Sequence, residues 1–360
     1  MRIGIVGLPA SGKTTLFQTM THTHLDEAAR QRKQANVAVV KVPDSRVDRL
    51  AEVFHPKRSV LTSIEFVDVI GLSRGDSATT QFNSAFLQNV RNTDALIHVI
   101  RAFDNPTCPH PEGSINPARD LRLLETEFIL SDLAVIENRF APLRKQMQRV
   151  AADAAKAEMA VLERCYAALE QEHPLRVVEF DMEEQRIMRG YQFLSAKPLL
   201  AAINLPEEQM STQSVAIAAL QEQFQHEGIA FDAFSGKVEM ELSQLAEEDA
   251  AVFMAEYGLR QSALTRIIST AYEMLGLISF LTYGEDECRA WAVRSGATAQ
   301  EAAGVIHTDL QTRFIRAETV NFADFVAHGS MAACKKHGAW RLQGKAYIVQ
   351  DGDILSIRNG

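Results

Sequence analysis

The feature that most constrains this chain is a phosphate-binding loop at its N-terminus. Residues 1–6 form an apolar run of strand length, and the next eight residues, Gly7-Leu8-Pro9-Ala10-Ser11-Gly12-Lys13-Thr14, match the pattern G-x-x-x-x-G-K-[ST]. Glycines let such a loop turn its backbone N–H groups towards a phosphate, and the lysine adds a positive charge. Thr15 continues into a helix, whose N-terminal dipole also favours an anion. Strand, loop and helix in this order predict an α/β P-loop domain with a mostly parallel sheet.

A magnesium site is predicted beside this loop. The strand that begins at Ile64 ends at Asp68, and Asp68-Val69-Ile70-Gly71 resembles the D-x-x-G element of GTPase-type proteins. We expect the hydroxyl of Thr14 and the carboxylate of Asp68 to hold Mg²⁺, and the N–H of Gly71 to approach the γ-phosphate. Leu72 follows where many GTPases carry the glutamine that orients water, so hydrolysis needs another group.

The base end of the nucleotide site is predicted at the ends of two later strands. Residues 199–204 form a buried strand that leads into Asn204-Leu205-Pro206-Glu207, where GTPases carry Asn-x-x-Asp. A further strand leads into Ser235-Gly236-Lys237, the expected place of the last base-contacting loop. The residues expected to bind nucleotide are therefore Gly7, Ala10, Ser11, Gly12, Lys13, Thr14, Thr15, Gly71, Asn204, Leu205, Glu207, Ser235 and Gly236.

Length and composition exclude several protein classes. A chain of 360 residues predicts two or three domains, and its net charge of −9 argues against a surface that coats nucleic acid throughout. No apolar run approaches the roughly 20 residues that span a bilayer, and the N-terminus shows no signal peptide, which predicts a cytoplasmic protein without membrane contact. The four cysteines are scattered, which predicts free thiols.

Periodicity divides the chain into three domains. The positions Ile129, Leu133, Ile136, Phe140 and Leu143 alternate between spacings of four and three, which predicts an inserted antiparallel coiled-coil hairpin over residues 118–195, kinked at Pro142. An ordinary helical bundle packed on the P-loop domain is the alternative. Residues 1–117 and 196–276 form the nucleotide-binding domain, and short strands and turns over residues 277–360 predict a small α+β domain of β-grasp proportions.

These elements together resemble the YchF, or Obg-like ATPase, family. Four stretches carry the resemblance: the P-loop, residues 65–72, Asn204 to Glu207, and the C-terminal pair 296–309 and 347–353, which looks like the TGS domain of that family. The resemblance implies a P-loop G domain, a helical insertion and a TGS domain. It also implies a weak Mg²⁺-dependent ATPase that also accepts GTP, binds the ribosome or its RNA, and is a monomer or weak dimer.

The resemblance further assigns a catalytic role to His110. Family members carry a histidine in a context similar to residues 110–117, which implies that His110 positions or activates the water that Leu72 cannot. The chain also departs from the family: Ala10 stands where the family has asparagine, Arg32 falls near the position of its magnesium-binding threonine, and residues 73–80 replace a glycine-rich second switch. These differences suggest a diverged member.

Three functions fit these patterns. The first is a slow ATPase that acts as a switch on a ribosomal or RNA partner, and a GTP-preferring GTPase is a variant of it. The second is a nucleotide-binding adaptor that hydrolyses little or nothing. The third, a small-molecule kinase, is disfavoured by the D-x-x-G and Asn-x-x-Glu elements and by the absence of an arginine-rich lid.

Overall fold

A computed structural model describes residues 1–21, 36–69, 84–148, 153–256, 259 and 261–360. The chain divides into two compact units, one formed by Met1–Val39 and Glu65–Ile267 and the other by Val40–Ile64 and Ile268–Gly360. The strands are β1 (Arg2–Val6), β2 (Asn36–Lys41), β3 (Arg58–Val60), β4 (Ser63–Asp68), β5 (Ala95–Arg101), β6 (Leu199–Asn204), β7 (Ile229–Phe234), β8 (Leu277–Thr282), β9 (Glu287–Arg294), β10 (Phe314–Asn321), β11 (Arg341–Gln343) and β12 (Asp353–Asn359).

The α-helices occur in both units. They are α1 (Lys13–Thr21), α2 (Ser45–Phe54), α3 (Ser84–Arg91), α4 (Pro117–Met147), α5 (Asp153–Glu170), α6 (Met182–Arg189), α7 (Gln213–Gln223), α8 (Gly236–Leu242), α9 (Glu247–Glu256), α10 (Ala263–Met274), α11 (Ala299–Ile306), α12 (Thr308–Thr312), α13 (Phe322–His328) and α14 (Met331–Lys336). No helix in the described ranges has the length and apolar character required to cross a membrane.

The first sheet is mostly parallel, as the sequence predicts. Its strand order is β2-β4-β1-β5-β6-β7, and β1 pairs in parallel with both β4 and β5. Strands β6 and β7 continue the parallel run. Every residue of β5 and β6 is buried, because helices cover both faces of the middle of such a sheet. The carboxyl ends of β1, β4, β5, β6 and β7 therefore meet along one edge, where ligands bind in folds of this class.

The predicted helical insertion is present as the long helix pair α4 and α5. Asn116 caps α4 by accepting a hydrogen bond from the N–H of Arg119, and the helix then runs through Pro142 to Met147. The buried positions Ile129, Ile136 and Leu143 follow the predicted seam and share one apolar cluster with α5. Phe193 and side chains of α6 join that cluster, so the hairpin packs against a third helix as well. The residues Asp181-Met182-Glu183-Glu184 have the pattern of a capping box, and Asp181 and Glu184 form that capping box at the start of α6.

The second unit is built on a mixed sheet with the strand order β11-β10-β12-β8-β9-β3. The sequence pattern Thr298-x-x-Glu301 predicts a capping box, and α11 begins with it and buries its alanines against the sheet. The sequence alone placed residues 40–64 in the nucleotide-binding domain, and the structure differs there. Strand β3 pairs with β9, and α2 buries Val47 and Leu50 in the core of this second unit.

Candidate nucleotide-binding site

The P-loop glycines stand where no side chain fits. Gly7 has a φ of 144°, and a Cβ added there would lie 2.4 Å from the carbonyl oxygen of Val99. Gly12 has a φ of 102°, and its added Cβ would lie 2.2 Å from the side-chain nitrogen of Asn204. Both positions combine a left-handed backbone with close neighbours, so the loop geometry depends on glycine. Ala10 also has a positive φ, 60°, although it has a Cβ and lacks the short polar side chain that eases this conformation.

Lys13 is held inside the loop by backbone carbonyls. Its ammonium donates to the carbonyl oxygens of Gly7 at 3.0 Å and Leu8 at 2.8 Å, and the residue is only 9% exposed. Burial lowers the pKa of Lys13 to about 8, and the nearby carboxylate of Asp68 opposes this shift. A lysine in this position supplies a cation that is poorly hydrated and already aimed at the centre of the loop.

The two predicted magnesium ligands lie together. Asp68 ends β4, opposite Ile5 of the P-loop strand, and its carboxylate forms a hydrogen bond with the side chain of Thr14. Burial raises the pKa of Asp68, against the opposing effects of Lys13, Asn36 and Thr14. A carboxylate beside a hydroxyl is the hard oxygen environment that Mg²⁺ prefers, and a nucleotide supplies phosphate oxygens as further ligands. The residues present therefore fit the ion, which would neutralise phosphate charge during hydrolysis.

Asn204 connects the phosphate loop with the base loop. Its side-chain nitrogen donates to the carbonyl oxygen of Ser11 at 3.0 Å, and its side-chain oxygen accepts from the N–H of Gly236 at 3.0 Å. The next residue is fixed in the same way, because the N–H of Leu205 donates to the carbonyl oxygen of Phe234 at 2.8 Å. The predicted loops at the ends of β6 and β7 are thus joined to the P-loop by hydrogen bonds.

Glu207 and Lys237 face each other across the base end. Glu207 begins a short 3-10 helix and accepts a hydrogen bond from the ammonium of Lys237, which is largely exposed. The hydrogen bond and charge of Glu207 raise the pKa of Lys237. Glu207 and Lys237, one from each of the two predicted base-contacting loops, therefore form an ion pair with each other.

A cavity of about 640 Å³ joins these elements. The predicted residues that line it are Ala10, Gly12, Lys13, Thr14, Thr15, Asn204, Leu205, Glu207, Ser235 and Gly236. Phe103, Asp104 and Met240 also line it, and none of the three was predicted from the sequence. Phe103 and Asp104 follow the buried strand β5 directly, so the rule that ligands bind beyond the carboxyl ends of parallel strands was the available signal.

Other predicted residues lie outside this lining. Gly7 packs against the backbone of Val99 in β5. The hydroxyl of Ser11 is buried without a hydrogen-bond partner in the described part of the chain. Gly71 lies outside the described residues, as do Arg32, Leu72 and residues 73–80. Their predicted roles therefore stay predictions.

His110 occupies a buried position apart from the cavity lining. Its Nε2 lies 2.9 Å from the carboxylate of Asp120, and its Nδ1 accepts a hydrogen bond of 3.1 Å from the N–H of Glu112. The guanidinium of Arg119 contacts the other oxygen of Asp120. In this arrangement both ring nitrogens face protein atoms, and the proposed water-handling role requires the loop to move.

His98, in contrast, alternates with apolar residues in the sequence, which predicts a core histidine with satisfied hydrogen bonds. It is buried in β5, but within the described residues neither ring nitrogen has a hydrogen-bond partner. Burial and the charge of Lys13 lower its pKa to about 3, so the ring is neutral at physiological pH. The expectation of burial was right and that of satisfied hydrogen bonds was wrong.

Comparisons with known proteins agree with this architecture. The family model MMR_HSR1, described as 50S ribosome-binding GTPase, matches residues 2–164, and the model YchF-GTPase_C, described as a protein of unknown function (DUF933), matches residues 277–359. The "Ribosome-binding ATPase YchF" of Bacillus subtilis (strain 168) is 37% identical over 359 residues, covering 99% of this chain and 98% of the relative.

Two further relatives support the same assignment. The protein of the same name from Escherichia coli O157:H7 is 38% identical over 358 residues, with 99% of this chain and 98% of the relative covered. The solved structure of the Schizosaccharomyces pombe YchF GTPase superposes with a TM-score of 0.87 at 33% identity, covering 99% of this chain and 97% of that one. Fold, site and full-length similarity therefore agree that the chain belongs to the YchF family of P-loop proteins.

Proposed function

We propose that this chain is a P-loop NTPase that binds ATP and GTP with Mg²⁺, hydrolyses ATP slowly, and associates with the ribosome in the cytoplasm. The observation that carries the proposal is one cavity that the P-loop and the base loops line together. Asn204 joins these loops by hydrogen bonds. The buried Lys13 and the Thr14–Asp68 pair provide the phosphate and metal end of this cavity. The common position of these phosphate-binding and base-contacting groups supports the proposal.

The base end supports ATP binding at least as tight as GTP binding. Guanine presents adjacent N1–H and N2–H donors, which an aspartate after Asn-x-x accepts together, whereas adenine presents an amino donor beside an acceptor. Glu207 is one methylene longer, follows Pro206, and is already paired with Lys237. Guanine must break this ion pair to gain the carboxylate, so the energy that favours guanine in GTPases is reduced here.

Association with the ribosome rests on the relatives and on local charge. The bacterial relatives are named ribosome-binding ATPases, and the matched N-terminal model is described as a 50S ribosome-binding GTPase. Lys335, Lys336 and Arg341 are exposed in the second unit, where the ammonium of Lys335 lies 4.9 Å from the ring centre of Trp340. Arg144 and Lys145 are exposed near the end of α4. Cations of this kind contact the phosphates of RNA without sequence preference.

One observation favours the second candidate function, an adaptor with little or no hydrolysis. The histidine assigned to water is held between Asp120 and the backbone of Glu112, apart from the cavity lining. A chain fixed in this arrangement binds nucleotide without positioning water. A partner that moves the loop would convert the same site into an active one.

Titration of fluorescent ATP and GTP analogues with and without Mg²⁺ tests the proposal. Lys13→Ala is expected to abolish binding, and Lys197→Ala is the matched control. Lys197 is also a buried lysine that donates to backbone carbonyls, those of Arg91 and Thr93, but it does not line the cavity. Equal binding by the wild type and Lys13→Ala would refute the site. Single-turnover hydrolysis with and without ribosomes then separates the slow ATPase from the adaptor.

A further inference from the structure

Arg101, the last residue of β5, is a buried cation that the nucleotide site does not use directly. It is 2% exposed, and within the described ranges no carboxylate forms an ion pair with it. Its Nη1 is buried without a hydrogen-bond partner in the same part of the chain. A guanidinium buried in this way is costly for the folded state, so its remaining contacts indicate what it does there.

Those contacts all reach one loop. Nε of Arg101 donates to the carbonyl oxygen of Phe103 at 3.1 Å, and Nη2 donates to that of Cys108 at 2.8 Å. The carbon at the centre of the guanidinium lies 4.8 Å from the centre of the Phe103 ring. One rigid, planar group therefore fixes both ends of the segment 103–108 and covers one face of its aromatic ring.

Phe103 stands beside the base end of the cavity. The N–H of Ala102 donates to the carbonyl oxygen of Asn204 at 2.9 Å, which ties this part of the chain to the residue that begins the base end. Phe103 is the aromatic residue in the described cavity lining. With one face held by the guanidinium, the ring keeps its other face and its edges for a ligand.

We propose that Arg101 is a positioning residue for base binding: it holds the Phe103 ring as a wall of the cavity, so that it contributes to affinity for the purine and not for the triphosphate. The proposal rests on the nucleotide-binding function proposed above. It distinguishes Arg101 from Lys13, which acts on phosphate, because Arg101 reaches the cavity only through the loop that it fixes.

The test compares ATP with inorganic tripolyphosphate, which lacks the base, by calorimetric titration. Arg101→Met is expected to weaken ATP binding about tenfold, the scale of a lost stacking contact, and to change tripolyphosphate binding less than about twofold. Arg176→Met is the matched control. It removes another buried guanidinium from the same unit, one that pairs with Glu125 away from the cavity, and is expected to leave the ratio of the two affinities unchanged.

A double variant shows whether Arg101 acts through the ring. Arg101→Met in a Phe103→Leu background is expected to cause no further loss of ATP affinity, because the ring to be positioned is gone. Independent losses in the two variants would overturn the proposal, as would equal weakening of ATP and tripolyphosphate by Arg101→Met. A wild type that binds neither ligand would instead refute the proposed function.

A second measurement does not depend on ligand binding. Phe103→Trp, in a background in which Trp291 and Trp340 are replaced by Phe, places the one emitting tryptophan at this position. Its fluorescence anisotropy is expected to fall when Arg101→Met is added, because the ring loses the group that covers its face. Unchanged anisotropy would refute the positioning role. If Arg101→Met does not fold, Arg101→Lys replaces it in all of these measurements, because lysine keeps the charge but cannot hold both carbonyls with a planar fork.

Discussion

Raising the pH above 8 is expected to weaken nucleotide binding, because it deprotonates the side chain of Lys13. Burial disfavours the charged form of an amine, and it lowers the pKa of Lys13 from its ordinary value of 10.5 to about 8. The amine therefore loses its charge at a pH where an exposed lysine is still protonated. Because the phosphates need the charged form, the apparent dissociation constant grows in inverse proportion to the protonated fraction.

The size of the effect follows from that pKa. The protonated fraction of Lys13 is about nine-tenths at pH 7, about one-tenth at pH 9 and about one-hundredth at pH 10 for a pKa of about 8. The affinity for Mg²⁺-ATP should therefore fall roughly tenfold between pH 7 and pH 9, and nearly a hundredfold by pH 10. An unshifted lysine predicts almost no change up to pH 9. The last proton of a phosphate is lost near pH 6, so the ligand charge is constant over this range.

Equilibrium titrations of Mg²⁺-ATP from pH 7 to pH 10 measure this dependence. Lys13→Arg is expected to bind more weakly but with a flat pH profile, because a guanidinium stays charged. Lys197→Met is the second control: burial also lowers the pKa of Lys197 to about 8, yet this lysine lies outside the cavity lining, so its removal should leave the profile unchanged. A wild-type affinity that changes less than twofold from pH 7 to pH 9 would refute the argument.

Three more outcomes follow from the same contacts. Glu207→Asp is expected to move nucleotide preference towards GTP, because the shorter side chain resembles the aspartate of GTPases. A wild type that binds GTP ten-fold or more tightly than ATP would contradict this and would indicate that the loop with Lys237 determines base preference. Ala10→Gly is expected to raise the midpoint of thermal unfolding by about 2–4 °C, because glycine adopts the φ of 60° at that position without strain. A lowered midpoint would show that the Cβ of Ala10 contributes more to stability than the backbone strain costs. Charge reversal of Lys335 and Lys336 is expected to weaken cosedimentation with ribosomes and to flatten its salt dependence. Charge reversal of Lys57, an exposed lysine of the same unit that pairs with Asp286, is the control. Unchanged cosedimentation of the Lys335 and Lys336 variant would show that this surface does not bind the ribosome.

Local patterns were sufficient to predict the parts of the site that neighbours in sequence determine. The P-loop glycines, the helix that begins at Lys13 and the two capping boxes depend on residues within a few positions of one another. The parallel sheet and the helix hairpin follow from periodicity, and both are present. Because parallel strands end at one edge, even the meeting of Thr14 with Asp68 could be anticipated.

Contacts between segments that are distant in the sequence could not be predicted from local patterns. Nothing near β3 in the sequence indicates that it pairs with β9, since a short strand fits either sheet. The sequence around His110 does not indicate that its side chain contacts Asp120, at the start of α4. The link from Arg101 to Phe103 and Cys108 is short in sequence, but it depends on a loop conformation that no helical or strand period describes.

The contacts of the site separate binding from turnover. Asn204 ties the phosphate loop to the base loop, and Thr14 already touches Asp68, so a nucleotide finds its binding groups in place and loses little affinity to their rearrangement. His110 instead lies in a buried contact with Asp120, and in the proposed water-handling role this contact must be broken before the imidazole can meet a water near the γ-phosphate. Breaking a buried polar pair costs free energy that is added to the barrier for hydrolysis and not to that for binding. Under the proposed function we therefore expect slow turnover with intact binding, and we expect a partner that separates His110 from Asp120 to accelerate hydrolysis without any change at the P-loop.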